Sequence, residues 1–470
     1  MRSAKRSWLR RLRWSLTILA GLLLLGAAST FTAVDQTLAP RPGGQPQVSK
    51  SQSTNFRAGF GRATLTPKVG AVVDRPEAGE FRSVPLAGYG DRHGQPATGV
   101  HDEVWVKAVA FAAGGSTGVV VSADALIIPR EVAESTAANL AGTHGLRRDQ
   151  ICFSATHTHC SLGGWGQRFV GEAFAGPFNP GIRTWFAQQL AAAATNALGD
   201  LQSASLGAGR FDATNWVRNR LVGDRGQVDP GFSLLYAKQA DGDTAVIGSY
   251  SAHATVLGSK VMQFSADYPG VWQRTLEGAG IKLAVFVAGG VGSHGPRVSP
   301  GGFEGTEVMG RALAEETLRQ LPRITLHESV PFEASVAVLE LPELQVRVTD
   351  SIRLRPWATR QLMPPLASAT LLQAFRFGSV VWLSTPCDYS GELALEVKAA
   401  ARSMGRQAVV TSFNGDYVGY VIPAKYYHLD GYEPRVMNFY GPRVAEVFTD
   451  TLLQLAAPAD PPSAASPPTQ

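Results

Sequence analysis

Ile151-Cys-Phe-Ser-Ala-Thr-His157-Thr-His159 is the stretch on which the reading of this chain turns. Ile151 to Ser154 is a short apolar run of the kind that forms a buried strand, and it ends where two histidines begin. Mixed α/β enzymes place their sites in loops at strand ends. If the strand continues through the pair, His157 and His159 point to one face. Neutral imidazole is a favoured zinc ligand, although two histidines by themselves also suit a polar core or a loop.

Other apolar runs surround this one. Val104 to Phe111 and Gly118 to Val121 predict a strand pair, and Ala245 to Ser249 and Leu283 to Val287 predict buried strands leading into small, polar loops. Phe375 to Leu383 and Ala408 to Thr411 also read as strands. Thr184 to Ala197, Met309 to Leu321, Glu392 to Ala401 and Arg443 to Leu455 read as helices. Strands and helices mix without strict alternation, which predicts an α/β class of mixed β-sheets flanked by helices rather than a Rossmann fold or a TIM barrel. No repeat or composition break interrupts residues 57–456, so they read as a single large domain.

The ends of the chain have a different character. Six cations lie within residues 1–13 and account for more than the whole net charge of +5, leaving the remainder close to neutral. Residues 1–13 therefore read as a basic cytoplasmic segment rather than a nucleic-acid patch, and no nucleic-acid-binding motif is present. Residues 14–34 carry no charge and include Leu22 to Leu25. As a helix they would span about 31 Å, enough for a transmembrane anchor, with a cleaved signal peptide as the rival. Either reading puts the body outside the cytoplasm, membrane-anchored or exported. Residues 35–56 read as a linker and 457–470 as a disordered tail.

Two further strand ends carry chemistry. Ser-Tyr-Ser-Ala-His253 follows one apolar run, and Ser384-Thr-Pro-Cys-Asp388 follows another. Taken singly, His253 suits a core histidine and Asp388 an N-cap for the helix after it; their shared placement favours a site. The three cysteines, Cys152, Cys160 and Cys387, show no CxxC spacing. They offer neither a zinc knuckle nor a disulfide framework, though one disulfide fits an oxidising compartment. A cysteine hydrolase built on Cys160 or Cys387 has no nucleophile motif to support it.

Several ordered motifs together resemble the N-terminal catalytic domain of the neutral/alkaline ceramidases, over about residues 57–450. They are Gly59-Phe-Gly-Arg-Ala-Thr-Leu-Thr-Pro67, Leu86-Ala-Gly-Tyr-Gly, Gly99-Val-His101-Asp102 and Ser154-Ala-Thr-His-Thr-His159 with Gly163-Gly164. Ala252-His253-Ala-Thr, Ser265-Ala-Asp-Tyr-Pro-Gly270, Phe286 to Pro296, Asn414-Gly-Asp-Tyr-Val-Gly-Tyr420 and Gly431-Tyr432-Glu433 continue the series.

The resemblance implies one Zn2+ ion held by His157, His253, Asp388 and Tyr420, with aspartate standing where the family has glutamate. It implies that His159 and Arg220 face the substrate and that Tyr432 is a second active-site tyrosine; His294 is a further candidate in the glycine-rich loop. Aligned without a gap, the family's Gly-Asp-x-Ser-Pro loop reads Gly292-Ser-His-Gly295-Pro296 here, with glycine at the serine position; the rival alignment lengthens the loop by four residues and puts Ser299-Pro300 there. The expected activity is amide hydrolysis of an N-acyl lipid or related amphipathic substrate by metal-activated water. The alternatives are a metal- or lipid-binding pseudoenzyme, or a zinc hydrolase of an ester or a cell-wall amide. Oligomeric state is left open by the sequence.

Overall fold

The protein is described by a computed structural model covering residues 14–17, 26, 28–44, 47–49, 55–364 and 367–457. Its apolar runs assemble into two sheets. The larger has eight strands in the spatial order 151–155, 116–123, 105–113, 57–64, 202–212, 231–239, 244–250 and 283–288. The outermost pair at each end is parallel, and the inner neighbours are antiparallel. The smaller sheet runs through 332–340, 369–377, 380–384 and 407–411, with its last pair parallel. Covered on both faces, these strands are near-continuously apolar, as in Val119-Val120-Val121.

The sheets pack face to face across Phe111, Val285, Phe332, Phe375 and Trp382. Helices Arg130–His144 and Pro180–Gly199 cover one end of the large sheet, and Asp267–Gly278 and Gly302–Gln320 cover the other. Gly391–Ser403 and Arg443–Ala456 cover the small sheet. The result is the predicted α/β class of mixed sheets flanked by helices.

Local chemistry explains two of the sequence motifs. Asn179 accepts a hydrogen bond from Gly181 N and Pro180 opens the following helix, a capped start of the favoured kind. That helix presses its alanine-rich face on the strand Arg57–Thr64. A Cβ on Gly59 would come 2.1 Å from the Ala197 carbonyl oxygen, and one on Gly61 would come 2.3 Å from that of Ala193. The Gly-x-Gly of the opening motif is therefore a helix–sheet contact that admits no side chain.

Some expectations are corrected. Phe375 to Leu383 is two strands, not one: Gly378, at φ +61, turns the chain between Ala369–Phe377 and Val380–Ser384. The stretch read as a linker is tied down in part, since Arg41–Pro42 and Gln47–Ser49 pair with the edge of Phe332–Glu340. The last residues of the apolar segment, Phe31–Ala33, form a strand antiparallel to Ile352–Leu354. The body offers them a partner strand, which a continuous helix to residue 34 would forgo. Residues 1–13, most of 14–27 and all of 458–470 lie outside the described residues, and with them the basic segment, the centre of the predicted anchor and the tail. Among the described residues no helix is long and apolar enough to cross a membrane. All three cysteines are buried and free.

Candidate metal centre

Parallel strands of both sheets point their carboxyl ends at one place. Ile151–Ala155 leads to His157, Thr244–Tyr250 to His253, and Val380–Ser384 to Asp388. The first strand does not continue through its histidines. His157 sits at φ +64, a left-handed conformation that ends extended structure and is uncommon for a residue with a Cβ. Its backbone N–H bonds the Ala125 carbonyl at 3.0 Å, and Thr158 Oγ1 donates to the Ser265 carbonyl at 2.7 Å. These ties hold the turn so that both rings still reach one centre, 5.1 Å apart and nearly perpendicular.

The three imidazoles converge through their Nε2 atoms. His157 and His253 approach to 2.8 Å, and His159 and His253 to 3.0 Å. His157 Nδ1 donates to the Leu126 carbonyl at 2.7 Å and His253 Nδ1 to the Val291 carbonyl at 3.3 Å. Those bonds fix the tautomers and leave each Nε2 with its lone pair turned inward. Burial pushes both His159 and His253 well below the ordinary histidine range, and for His253 the Arg220 charge adds to it. Phe413 stacks on the His157 ring at 4.3 Å and fixes its plane.

Asp388 completes the cluster. Its Oδ1 lies 3.3 Å from His157 Nε2 and 4.0 Å from His253 Nδ1. That oxygen is fully buried and accepts no hydrogen bond, while Oδ2 accepts one from Tyr417 Oη at 2.8 Å. A buried carboxylate oxygen without a partner is costly unless a cation faces it. Three imidazole nitrogens with a carboxylate oxygen are a donor set that suits a divalent metal such as zinc.

The aromatic wall follows from backbone register. Asp388–Tyr389 pairs in parallel with Tyr420–Val421, so that Asp388 and Tyr420 stand side by side. Arg220 Nη2 donates to Tyr420 Oη at 3.1 Å, and Arg220 Nε lies 3.0 Å from Glu433 Oε1. Burial, then the Asp388 charge, keeps the Tyr420 hydroxyl protonated well above its ordinary value. Tyr432 packs edge-on against Tyr420 at 5.6 Å.

A narrow pocket of about 100 Å³ leads in to His157, His159 and Asp388. Its walls include Leu126, Trp165, Phe174, Met363, Met437 and Phe439, with Tyr417 and Tyr420 beside Asp388 and Tyr432 reaching solvent.

The structure thus brings together His157, His159, His253, Asp388, Tyr420, Arg220 and Tyr432. It brings the His294 carbonyl, which accepts from His253 N at 3.4 Å, but not the His294 ring. His294 pairs with Asn219 in a short strand, and its ring is held by other partners. His294 Nε2 accepts from Asp229 N at 2.8 Å, and Nδ1 meets Ser293 Oγ at 2.9 Å. The alternative N-cap role of Asp388 is filled by Ser390, whose side chain accepts from Glu392 N. Tyr417 and Phe413 went unread in the sequence, although Tyr417 lies inside the Asn414-to-Tyr420 motif that marks the region.

Residues 77–289 match the family profile described as neutral/alkaline non-lysosomal ceramidase, N-terminal. No curated protein sequence matches the chain. Among solved structures, a ceramidase complexed with C2 is similar with a TM-score of 0.72 at 19% identity, over 88% of this chain and 77% of that one. The neutral ceramidase from Pseudomonas aeruginosa is similar with a TM-score of 0.71 at 19% identity, over 86% and 75%. Residues 77–289 are thus similar to the neutral/alkaline ceramidase N-terminal domain, and the chain shares the fold of these solved ceramidases.

Proposed function

We propose that the protein is a zinc-dependent amidohydrolase of an N-acyl lipid or similar amphipathic amide. The observation that carries this reading is a narrow apolar pocket ending on a buried imidazole–carboxylate cluster. His157, His253 and Asp388 would hold the ion, with Tyr420 beside them. When bound, zinc at such a site supplies a water that ionises near pH 7 and a Lewis acid for a carbonyl.

The chain's own residues divide the remaining work. The Leu126 and Val291 carbonyls orient the two ligand rings, and Tyr417 turns Asp388 Oδ1 inward. His159 lies on the pocket side of the cluster, where its Nε2 can take up a proton and return it to the leaving nitrogen. Arg220 and the protonated Tyr420 are hydrogen-bond donors beside the reacting carbonyl. The apolar walls hold an acyl chain and keep bulk water away. The body would act outside the cytoplasm, as the basic cluster ahead of the apolar segment favours.

A second reading has one observation in its favour. In the ungapped alignment glycine at 295 stands where the family loop has serine, which suits a protein that binds metal and lipid without turnover, or one that cleaves an ester or another amide. The decisive experiment measures metal content and hydrolysis together across N-acyl sphingoid bases, N-acyl amino acids and simple esters. Hydrolysis of an N-acyl lipid that is lost on metal removal supports the proposal. Stoichiometric metal with no turnover on any member overturns it in favour of the binding protein.

A further inference from the structure

The rim of the pocket has an unusual surface. Among the described residues the exposed aromatic side chains are Trp14, Phe31, Phe169, Trp357 and Tyr432. Phe169 is 71% exposed, and its helix Arg168–Ala175 supplies Val170, Gly171 and Phe174 to the pocket wall. Trp357 and the exposed Leu362 belong to the helix Pro356–Leu362, which runs directly into the wall residues Met363 and Pro364. Tyr432 and the exposed Val436 bound the turn that leads to the wall residue Met437. Three separate segments thus present large apolar groups to solvent around one opening. Such a patch on a protein surface marks a contact with something apolar.

The apolar N-terminal segment is fastened to the same rim. Phe31–Ala33 pairs with Ile352–Leu354, immediately before the Trp357 helix. Trp357 Nε1 donates to the Ser29 carbonyl at 2.8 Å, and Arg355 N donates to the Thr30 carbonyl at 2.8 Å. The end of the uncharged stretch, residues 28–33, therefore meets the body beside the pocket mouth. Arg168, Arg355 and Arg360 are exposed among these apolar groups. Aromatic side chains interleaved with cations match the interfacial zone of a bilayer, where rings sit at headgroup depth and arginines meet lipid phosphates.

We propose that this rim is a bilayer-docking face, which seats the pocket mouth against the membrane that takes the N-terminal apolar segment. An amphipathic substrate then passes from the lipid layer into the pocket without crossing water. The rim's apolar area and the position of residues 28–33 carry the docking itself, which stands apart from the hydrolase reading.

The test uses the full chain reconstituted in vesicles of phosphatidylcholine and phosphatidylglycerol. The native cysteines are buried, so Phe169→Cys, Leu362→Cys and Val436→Cys accept an environment-sensitive fluorophore at known places. Asp241→Cys, in the turn after Gly231–Gln239 and at the opposite end of the sheet from the site, is the reference. The expected result is blue-shifted emission, quenched by brominated lipids, at all three rim positions and not at 241. Rim probes that respond no more than the reference overturn the proposal. A rim shift that follows protein concentration without lipid quenching also overturns it, and assigns the face to a second copy of the chain. Neither readout requires turnover, so a failure here is distinct from a failure of the proposed activity.

Discussion

His157 Nε2 and His253 Nε2 stand 2.8 Å apart, while the Nδ1–H of each ring is committed to a backbone carbonyl. Neither facing nitrogen then carries a proton, and two lone pairs at that distance repel. Protonating one ring would relieve the repulsion, but burial drives the His253 pKa far down. A metal cation satisfies both nitrogens and the unpartnered Asp388 Oδ1 together. The purified protein is expected to carry stoichiometric divalent transition metal, and His157→Ala or His253→Ala to lose it. Chelation should lower the unfolding temperature, because an ion held at a thousand times its Kd contributes about 4 kcal/mol. Elemental analysis with paired melting curves decides it: a metal-free wild type, or mutants that keep their metal, contradict the assignment.

His159 tests how the cluster divides its labour. It lines the pocket and lies 3.0 Å from His253 Nε2, a position open to a ligand or to a proton carrier. The carrier role predicts that His159→Ala keeps its metal and loses about 10²–10⁴-fold in kcat. Metal loss in this variant comparable to that of His157→Ala would make His159 a third nitrogen ligand instead.

The parts of this site that could be read from the sequence were polar residues at the ends of apolar runs. His157, His253 and Asp388 each follow a strand whose hydrophobicity marks it, and the mixed-sheet class follows from the same runs. What escaped reading depends on distant pairings. Tyr417 matters because its hydroxyl meets Asp388 across 29 positions of chain. The His294 ring stays out of the cluster because Asp229 N and Ser293 Oγ hold it. The Leu126 and Val291 carbonyls, which set the tautomers, are main-chain atoms and have no residue-type signature. The break at Gly378 lies within an apolar run whose ends are equally strand-like, and only its left-handed φ reveals the turn.

Gly295 offers a direct test of specificity. It pairs with Arg218 in a short strand, and a Cβ built there would lie 3.4 Å from Arg220 Cδ and 3.8 Å from Arg220 Cβ. Both are ordinary van der Waals contacts, so a serine fits beside the Arg220 stem. Gly295→Ser is expected to fold with a stability change within about 0.5 kcal/mol. Its hydroxyl would add a polar group next to the arginine and shift kcat/KM among N-acyl substrates. Denaturation midpoints and a substrate panel report on the two halves separately; an unchanged ranking of substrates means that residue 295 does not set specificity.

His294 should govern part of the acid limit of stability. Burial is the largest cause that lowers its pKa from 6.5 to about 4, and its Nε2 accepts from Asp229 N. Between those values the unfolded chain binds a proton that the folded chain refuses. The stabilisation is complete above pH 6.5 and drains away as pH falls towards 4. A shift of that size corresponds to about 3 kcal/mol. In His294→Gln the amide oxygen can take the Asp229 N–H and does not titrate. Near pH 7.5 the variant is expected to be the less stable by about 1 kcal/mol, the ordinary cost of a buried substitution. As the pH approaches 4.5 the gap should close or reverse, because the wild type alone carries the burden of keeping this imidazole neutral. Urea midpoints measured across that range check it, and parallel curves for the two proteins would remove His294 as the acid-sensitive group.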